Sequence, residues 1–442
     1  MITYEFLQQY WWFLIALLGG LLVFLLFVQG GNALIFLAGK TEAERQLIVN
    51  STGRKWELAF TTLVTFGGAF FASFPLFYST SFGGAYWVWI LILITFVFQS
   101  VSYEFQSKAG NLLGANAFRV FLTLNGCLAP LLIGTAVGTF FTGSPFVVNK
   151  DAVADLSSPV ISRWTGDWGG LEAVANPFNV EFGLMVLFLA VSLGALYAIN
   201  NIHHPSLTSQ LRRSLQFSFG GFLLMLVLVL VQLLTMEGFA VDEAGVVSMV
   251  SGKYLANFLE MPLVLLMFLI GAVLLVAGVA LTLWKKNYVR GIWLSGPGTV
   301  LAVMSLFMIA GYHGTAYYPS TADLQSSLTL ANAAAQARAT GYLSRNNKNI
   351  VNIGDNVDTS FSGITISSNE DNGTVLCTGT ADEVAQTAAK YDALQNSIDS
   401  AAARGYVDQI IEPEDLRKYL IGAMEVLYTK REEFPAKKHS AK

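Results

Sequence analysis

The stretch YWWFLIALLGGLLVFLLFV, residues 10–28, carries no charged side chain and is the strongest fold signal in the chain. It opens with Tyr10, Trp11 and Trp12, aromatic residues typical of the membrane–water interface. Roughly 20 apolar residues suffice for a helix to cross the hydrocarbon core, where an open strand would leave backbone groups unpaired. Similar stretches follow at about 57–78, 86–103, 117–141, 178–200, 215–235, 258–284 and 291–312. The sequence therefore predicts an all-α, polytopic transmembrane bundle of about eight helices.

The composition of the whole chain favours the same environment. Of its 442 residues, 54% are hydrophobic and 13% are charged, which is roughly half the charged share of a soluble domain. The formal net charge of −4 gives no reason to expect a nucleic-acid partner. Cys127 lies in an apolar stretch and Cys377 in a polar one, so the cysteines predict neither a disulfide framework nor a metal site.

The distribution of basic residues predicts the orientation. Lysines and arginines concentrate after the first, third, fifth and seventh stretches, whereas the alternate loops hold only Lys150, Arg163 and Lys253. Cytoplasmic loops carry this excess in membrane proteins. The chain is therefore predicted to be a multi-pass protein of the cytoplasmic (inner) membrane, with its N-terminus outside.

The spacing of the stretches divides the chain into four parts. Residues 1–142 form a first four-helix transmembrane unit, 143–177 an outside loop, 178–333 a second four-helix unit, and 334–442 an irregular polar tail. In the tail, residues 346–374 are rich in Asn, Ser, Gly and Asp, which predicts loops or short strands. Residues 412–433 have the pattern of an amphipathic helix.

The histidines predict that this chain binds no haem. Membrane redox proteins hold haem through His, Met or Cys ligands. His203 and His204 fall in a predicted cytoplasmic loop, His313 at the outer end of the eighth stretch and His439 in the tail. Because none is predicted in mid-membrane, we expect no haem ligand from these residues, and no other metal site.

Two carboxylates at predicted cytoplasmic helix ends are the candidate functional groups. Glu57 opens the second stretch and Glu104 closes the third, with Gln99 one turn before Glu104 and Gln29 at the inner end of the first. A partly desolvated carboxylate can take up and release protons. The alternative is that these acids form ion pairs, Glu57 with the basic residues before it and Glu104 with Lys108 one turn on. Position alone leaves both interpretations open.

Four stretches together carry a family resemblance. They are YWWFLIALLGGLLVFLLFVQGGNALIFLAG (10–39), NSTGRKWELAFTTLVTFGGAFFASFPLFYSTSF (50–82), VFQSVSYEFQSKAGN (97–111) and YYPSTADLQSSLTLANA (317–333). In consistent order over about residues 1–333, they resemble subunit II of cytochrome bd-type quinol oxidases. They are most similar to the branch in which a QGGN-like turn, here 29–32, replaces an acidic one.

The resemblance implies a role inside a larger enzyme. Subunit II of the family ligates no haem itself and scaffolds subunit I, which carries two b-type haems, haem d and the quinol site. The complex is an electrogenic quinol:oxygen oxidoreductase that reduces oxygen to water. The expected partners are therefore subunit I, quinol or a bound quinone, membrane lipid and a small accessory subunit.

The resemblance also places acids on a proton route. A Trp followed by an acid at the start of the second helix corresponds to Trp56 and Glu57, with Glu in place of the usual Asp. Another family acid corresponds to Glu104. The Arg-Pro pair that often precedes it is Gln99-Ser100 here, so that part of the route differs.

The C-terminal part departs from the family. A ninth spanning helix is expected soon after residue 333, but no such stretch is present. Residues 403–439 instead resemble the end of an acyl-CoA carboxylase carboxyltransferase subunit, and 337–402 resemble no family. We expect the tail to be a fusion or an assembly artefact rather than a working part of an oxidase, the alternative being a lineage-specific appendage outside the cell membrane.

A polytopic transporter is the alternative function for such a bundle. Transporters typically have repeats whose broken helices meet near the midplane. Here the ionisable residues lie at helix ends and the stretches read as continuous, which favours the oxidase subunit.

Overall fold

The computed structural model describes residues 4–108, 111–149, 161–242, 246–285, 287–312, 315–329, 359–361, 364–368, 375–378, 415, 417–419 and 421. The chain divides into two compact units, Met1–Asp355 and Asn356–Lys442.

The described part of the first unit is mainly helical. Its α-helices are α1 Tyr4–Leu25, α2 Phe27–Leu37, α3 Glu42–Thr52, α4 Trp56–Ser73, α5 Pro75–Tyr78, α6 Tyr86–Phe105, α7 Ala115–Thr142, α8 Glu172–Ala175, α9 Pro177–Asn201, α10 Pro205–Thr235, α11 Lys253–Glu260, α12 Pro262–Trp284 and α13 Ile292–Ala310. A π-helical turn, Ser79–Gly83, follows α5, and a 3₁₀ turn spans Leu324–Ser326.

Seven helical segments among the described residues are long and apolar enough to cross a membrane. They are Phe6–Leu37, which joins α1 and α2, together with α6, α7, α9, α10, α12 and α13. The prediction of an all-α polytopic bundle is confirmed, and the chain is a multi-pass membrane protein. The predicted second span, α4, is helical but is not among the seven, because Glu57 and three threonines lower its apolarity.

Several predicted boundaries need correction. The first span extends to Leu37, well beyond residue 28. The predicted 57–78 segment ends at Ser73, because Pro75 starts a new helix and has no N–H to continue the old one. Pro262 likewise separates α11 from α12 within the predicted 258–284. Helix α10 starts at Pro205 rather than near 215, with polar first turns.

Helix α9 lies at the centre of the bundle. It packs against α2, α7 and α10, while α1 packs against α13 and α13 against α12. Helices of the predicted 1–142 and 178–333 units thus share one hydrophobic core. At the α2–α9 crossing, a Cβ added to Gly30 would lie 1.7 Å from Ala190 O, so this approach requires glycine.

Short hairpins join the helix ends. The antiparallel pairs are β1 Phe146–Val148 with β2 Ser162–Trp164, β3 Glu237–Val241 with β4 Val247–Ser251, and β5 Ala316–Tyr318 with β6 Leu328–Thr329. Trp164 Nε1 donates to Thr80 O at 2.8 Å, which fixes β2 to the π-helical turn. Part of the predicted outside loop, 150–160, lies beyond the described residues.

The second unit contains an antiparallel sheet in the order β7 Thr359–Phe361, β8 Ile364–Ser368 and β9 Val375–Thr378. The first two strands fall in the segment predicted to form loops or short strands. Arg417, Lys418 and Tyr419 are helical, but most of the predicted terminal helix lies outside the described residues.

Candidate functional site

Glu57 lies in the first turn of α4 with its side chain exposed. Within the described residues it makes no ion pair with Arg54 or Lys55, which was the alternative interpretation from the sequence. A carboxylate in the first turn of a helix is stabilised by the helix dipole. The preceding residue, Trp56, stacks on Tyr103 of α6, with ring centroids 6.2 Å apart and an interplanar angle of 17°.

Glu104 forms the ion pair expected from its spacing. Its Oε1 lies 2.6 Å from Lys108 Nζ, and the two side chains are 54% and 40% exposed. Exposed pairs of this kind contribute about 0.3–0.5 kcal/mol. The ion pair restrains the Glu104 side chain at the end of α6, and its carboxylate remains accessible to solvent.

Gln29 and Gln99 are brought together in the bundle interior. Both side chains are fully buried, and Gln29 Nε2 donates to Gln99 Oε1 at 3.2 Å. The other two amide atoms, Gln29 Oε1 and Gln99 Nε2, have no hydrogen-bond partner among the described residues. The two supporting residues singled out from the sequence are therefore direct neighbours.

Further polar residues adjoin this pair: Asn32, Thr52 and Asn125 are buried, and Tyr103 is half-buried. The Tyr103 hydroxyl lies 2.5 Å from Asn32 Oδ1, to which it donates, and 2.8 Å from Thr52 Oγ1. Asn32 Nδ2 donates to Asn125 Oδ1 at 3.4 Å. We call the six residues Gln29, Asn32, Thr52, Gln99, Tyr103 and Asn125 the buried polar cluster.

From the sequence, Asn32 was noted only as the last residue of the QGGN motif (29–32), and no role was assigned to Thr52, Tyr103 or Asn125. Asn125 could have been found from the sequence, because it is an amide inside the apolar stretch of α7. Polar side chains are costly in a membrane interior and commonly mark functional positions there. The signal for Tyr103 was its position between Gln99 and Glu104.

The buried polar cluster is made of neutral amide and hydroxyl groups, which can hydrogen-bond water without carrying a charge. Amides and hydroxyls avoid the large desolvation cost that a charge meets in a membrane interior. Gln29 Oε1, Gln99 Nε2 and Asn125 Nδ2 lack partners among the described residues, and buried groups of this kind commonly bind ordered water. The cluster is therefore suited to hold water beside α4 and α6, the helices that carry the two candidate acids.

The described histidines lie just before α10, in the segment predicted to be a cytoplasmic loop. His204 caps α10, its Nδ1 accepting from Leu207 N at 3.3 Å, and His203 beside it is exposed. His313 and His439 lie outside the described residues. Across the described ranges, no group of three or more His, Cys, Asp or Glu side chains is placed to hold a metal ion. We derive no haem chemistry from these side chains.

The fold and the site define a class: a multi-pass helical membrane protein with a neutral polar interior and carboxylates at helix ends. The family model described as cytochrome bd terminal oxidase subunit II matches residues 7–344. The chain belongs to this family, as the resemblance of residues 1–333 predicted. Family membership favours an oxidase subunit over a transporter.

Individual relatives give the same assignment. The chain is 32% identical over 198 residues to cytochrome bd-I ubiquinol oxidase subunit 2 of Escherichia coli strain K12, covering 45% of this chain and 49% of the relative. It is 29% identical over 275 residues to the probable cytochrome oxidase subunit 2 of Haemophilus influenzae, covering 60% and 70%. The chain thus spans about half the length of its E. coli relative.

A solved structure shows the same fold. The bd oxidase from Geobacillus thermodenitrificans matches with a TM-score of 0.51 and 15% identity, over 72% of this chain and 89% of that chain.

The C-terminal resemblance is also confirmed. A carboxyl transferase domain model matches residues 357–441. Over 61 residues, the chain is 44% identical to the methylmalonyl-CoA carboxyltransferase 12S subunit of Propionibacterium freudenreichii subsp. shermanii, which is 13% of this chain and 12% of the relative. The prediction that 337–402 resemble no family is wrong from residue 357 onward, because the match begins before the dense motif at 403.

Proposed function

We propose that this chain scaffolds the haem-bearing subunit I of a cytochrome bd-type terminal oxidase and helps to conduct protons taken up from the cytoplasm. The complex would oxidise quinol and reduce oxygen to water, with the b-type haems and haem d in subunit I. The observation that carries the proposal is the buried polar cluster beside α4 and α6 in a chain whose residues 7–344 match the family.

An open groove between α4 and α6 supports the scaffolding role. Its volume is about 440 Å³ and its wall is apolar, including Gly67, Phe71, Phe82 and Trp89. A Cβ added to Gly68 would meet nothing within 4 Å. Small residues allow helices of two proteins to approach closely in lipid, so we assign subunit I to this face.

The same two helices carry the proton-uptake residues. Glu57 opens α4 at the end predicted from the basic loops to face the cytoplasm, and its exposed side chain can exchange protons with water. Trp56 connects this end of α4 to Tyr103 of the cluster. Glu104 is the helper: its carboxylate is paired with Lys108 but remains half-exposed at the end of α6, where it can exchange protons with water.

The role of the glutamines is to position water. Their mutual hydrogen bond fixes both amide planes, which directs the remaining amide atoms to bound water. Water held in this way supplies the hydrogen bonds along which a proton moves from Glu57 toward subunit I.

The test is quinol oxidase turnover of Glu57→Gln in the purified complex. Glutamine keeps the shape but cannot ionise, so turnover should fall while haem content and assembly stay unchanged. Glu57→Asp keeps the acid and should retain most of the activity. Glu260→Gln, which changes an exposed acid at the end of α11, is the matched control.

Turnover of Glu57→Gln at the wild-type rate in an assembled complex would assign Glu57 a structural role at the α4 terminus instead.

A further inference from the structure

A second groove opens on the face formed by α2, α7, α9 and α10. Its volume is about 540 Å³. Leu34, Leu37, Leu187, Phe188 and Val191 form much of its wall. This face is separate from the α4–α6 groove assigned above to subunit I.

The rim of this groove is cationic. Lys40 follows the end of α2, and Arg213 lies in the third turn of α10. Both side chains line the groove and both are exposed. Lys40 Nζ donates to Leu37 O at 2.9 Å, which holds the ammonium group at the rim. The Arg213 guanidinium lies 5.9 Å from the centre of the Phe217 ring, at the edge of the apolar wall.

Neither cation is neutralised by a carboxylate within the described residues. Lys40 and Arg213 form no ion pair there. The Glu44 carboxylate, one turn from Lys40, accepts from the backbone N–H groups of Lys40 and Thr41 and from Ser206 Oγ. Glu44 also lies 3.9 Å from His204 Nδ1 and forms no ion pair with Lys40 or Arg213, so both cations remain available to a ligand.

We propose that this groove binds one anionic phospholipid. Its phosphate contacts Lys40 and Arg213, with Gln210 and Ser214 as further polar groups beside it, and an acyl chain lies along the apolar wall. Charge complementarity favours this occupant. A neutral quinone head would bring no negative charge to Lys40 and Arg213, and a neutral lipid would contact the apolar wall but not pair with the two cations. In the proposed topology, the rim faces the cytoplasmic leaflet, whose surface is anionic.

The experiment is lipid analysis of the complex purified from membranes. After a fixed detergent wash, phospholipids are counted per complex by mass spectrometry for wild type and for Lys40→Gln/Arg213→Gln. The matched control is Lys285→Gln/Arg290→Gln, which removes two exposed basic residues from the α12–α13 loop. A swap, Lys40→Arg/Arg213→Lys, keeps both charges.

One anionic phospholipid per complex should be retained by the wild type, by the control variant and by the charge-preserving swap. The Lys40→Gln/Arg213→Gln variant should lose this phospholipid. The amount of retained anionic phospholipid should fall roughly fivefold for each charge removed. This factor corresponds to the attraction between one basic side chain and an anionic lipid surface. Equal retention in that variant and the control would overturn the proposal. So would a density map of the complex with a quinone or a protein helix in the groove.

Discussion

Replacing Gly30 by alanine tests how closely α2 and α9 cross. The added Cβ would lie 1.7 Å from Ala190 O and 2.7 Å from Val191 N. Ordinary carbon–oxygen contacts are about twice the first distance. The neighbouring atoms are helical backbone and cannot rotate away, so the two helices must move apart by on the order of 1.5 Å.

The cost should reach the upper end of the overpacking range, about 3 kcal/mol or more. Alanine gains about 1 kcal/mol over glycine in helix propensity, which offsets only part of it. Gly220→Ala in α10 is the matched control, because its Cβ would meet nothing within 4 Å. The assay is thermal unfolding of the purified complex, in which Gly30→Ala should unfold several degrees lower and Gly220→Ala at the wild-type temperature or above. Equal stability of the two variants would refute the close crossing.

Three further outcomes follow from the structure. Gln99→Leu leaves the Gln29 amide buried and unpaired, which should lower the stability by about 1–3 kcal/mol. In thermal unfolding, the double variant Gln29→Leu/Gln99→Leu should lose less stability than the sum of the two single variants. A loss equal to that sum would show that the two glutamines are not coupled. Hydrogen bonds from Thr41 N–H and Ser206 hold the pKa of Glu44 below its usual 4.5, so this carboxylate stabilises the fold above about pH 4.5 and that contribution disappears as the pH falls through the lowered value. Glu44→Gln should therefore be less stable than wild type at neutral pH and lack that acid-side loss, and parallel stability–pH curves would contradict it. Removing residues 345–442 should leave haem content and turnover unchanged, because the match to the oxidase family ends at residue 344. Loss of assembly on this truncation, with a native intact mass that includes the tail, would show that the tail is a working part.

The sequence predicted the helices because apolar length is a local property. It placed the start of α10 too late, because the first turns contain Gln210, Arg212 and Arg213 and lack a continuous apolar signal. The break before Pro75 was also missed, since the apolar residues continue across it.

The site was only partly predictable for a related reason. Gln29 and Gln99 were singled out individually, but their hydrogen bond joins residues 70 positions apart in the chain. The Asn32–Asn125 contact spans 93 positions. A local pattern does not show which helices are neighbours, so the cluster became visible only when α2, α6 and α7 were brought together.

The measurement that tests the central claim most directly is the reduced-minus-oxidised haem spectrum of this chain, purified from membranes with and without its partner. We predict that the chain co-purifies with a second, haem-bearing polypeptide and shows stoichiometric b-type and d-type haem signals, whereas the chain expressed alone shows none. A stoichiometric haem signal from the chain alone that is lost in His203→Ala, His204→Ala or His313→Ala would contradict the account.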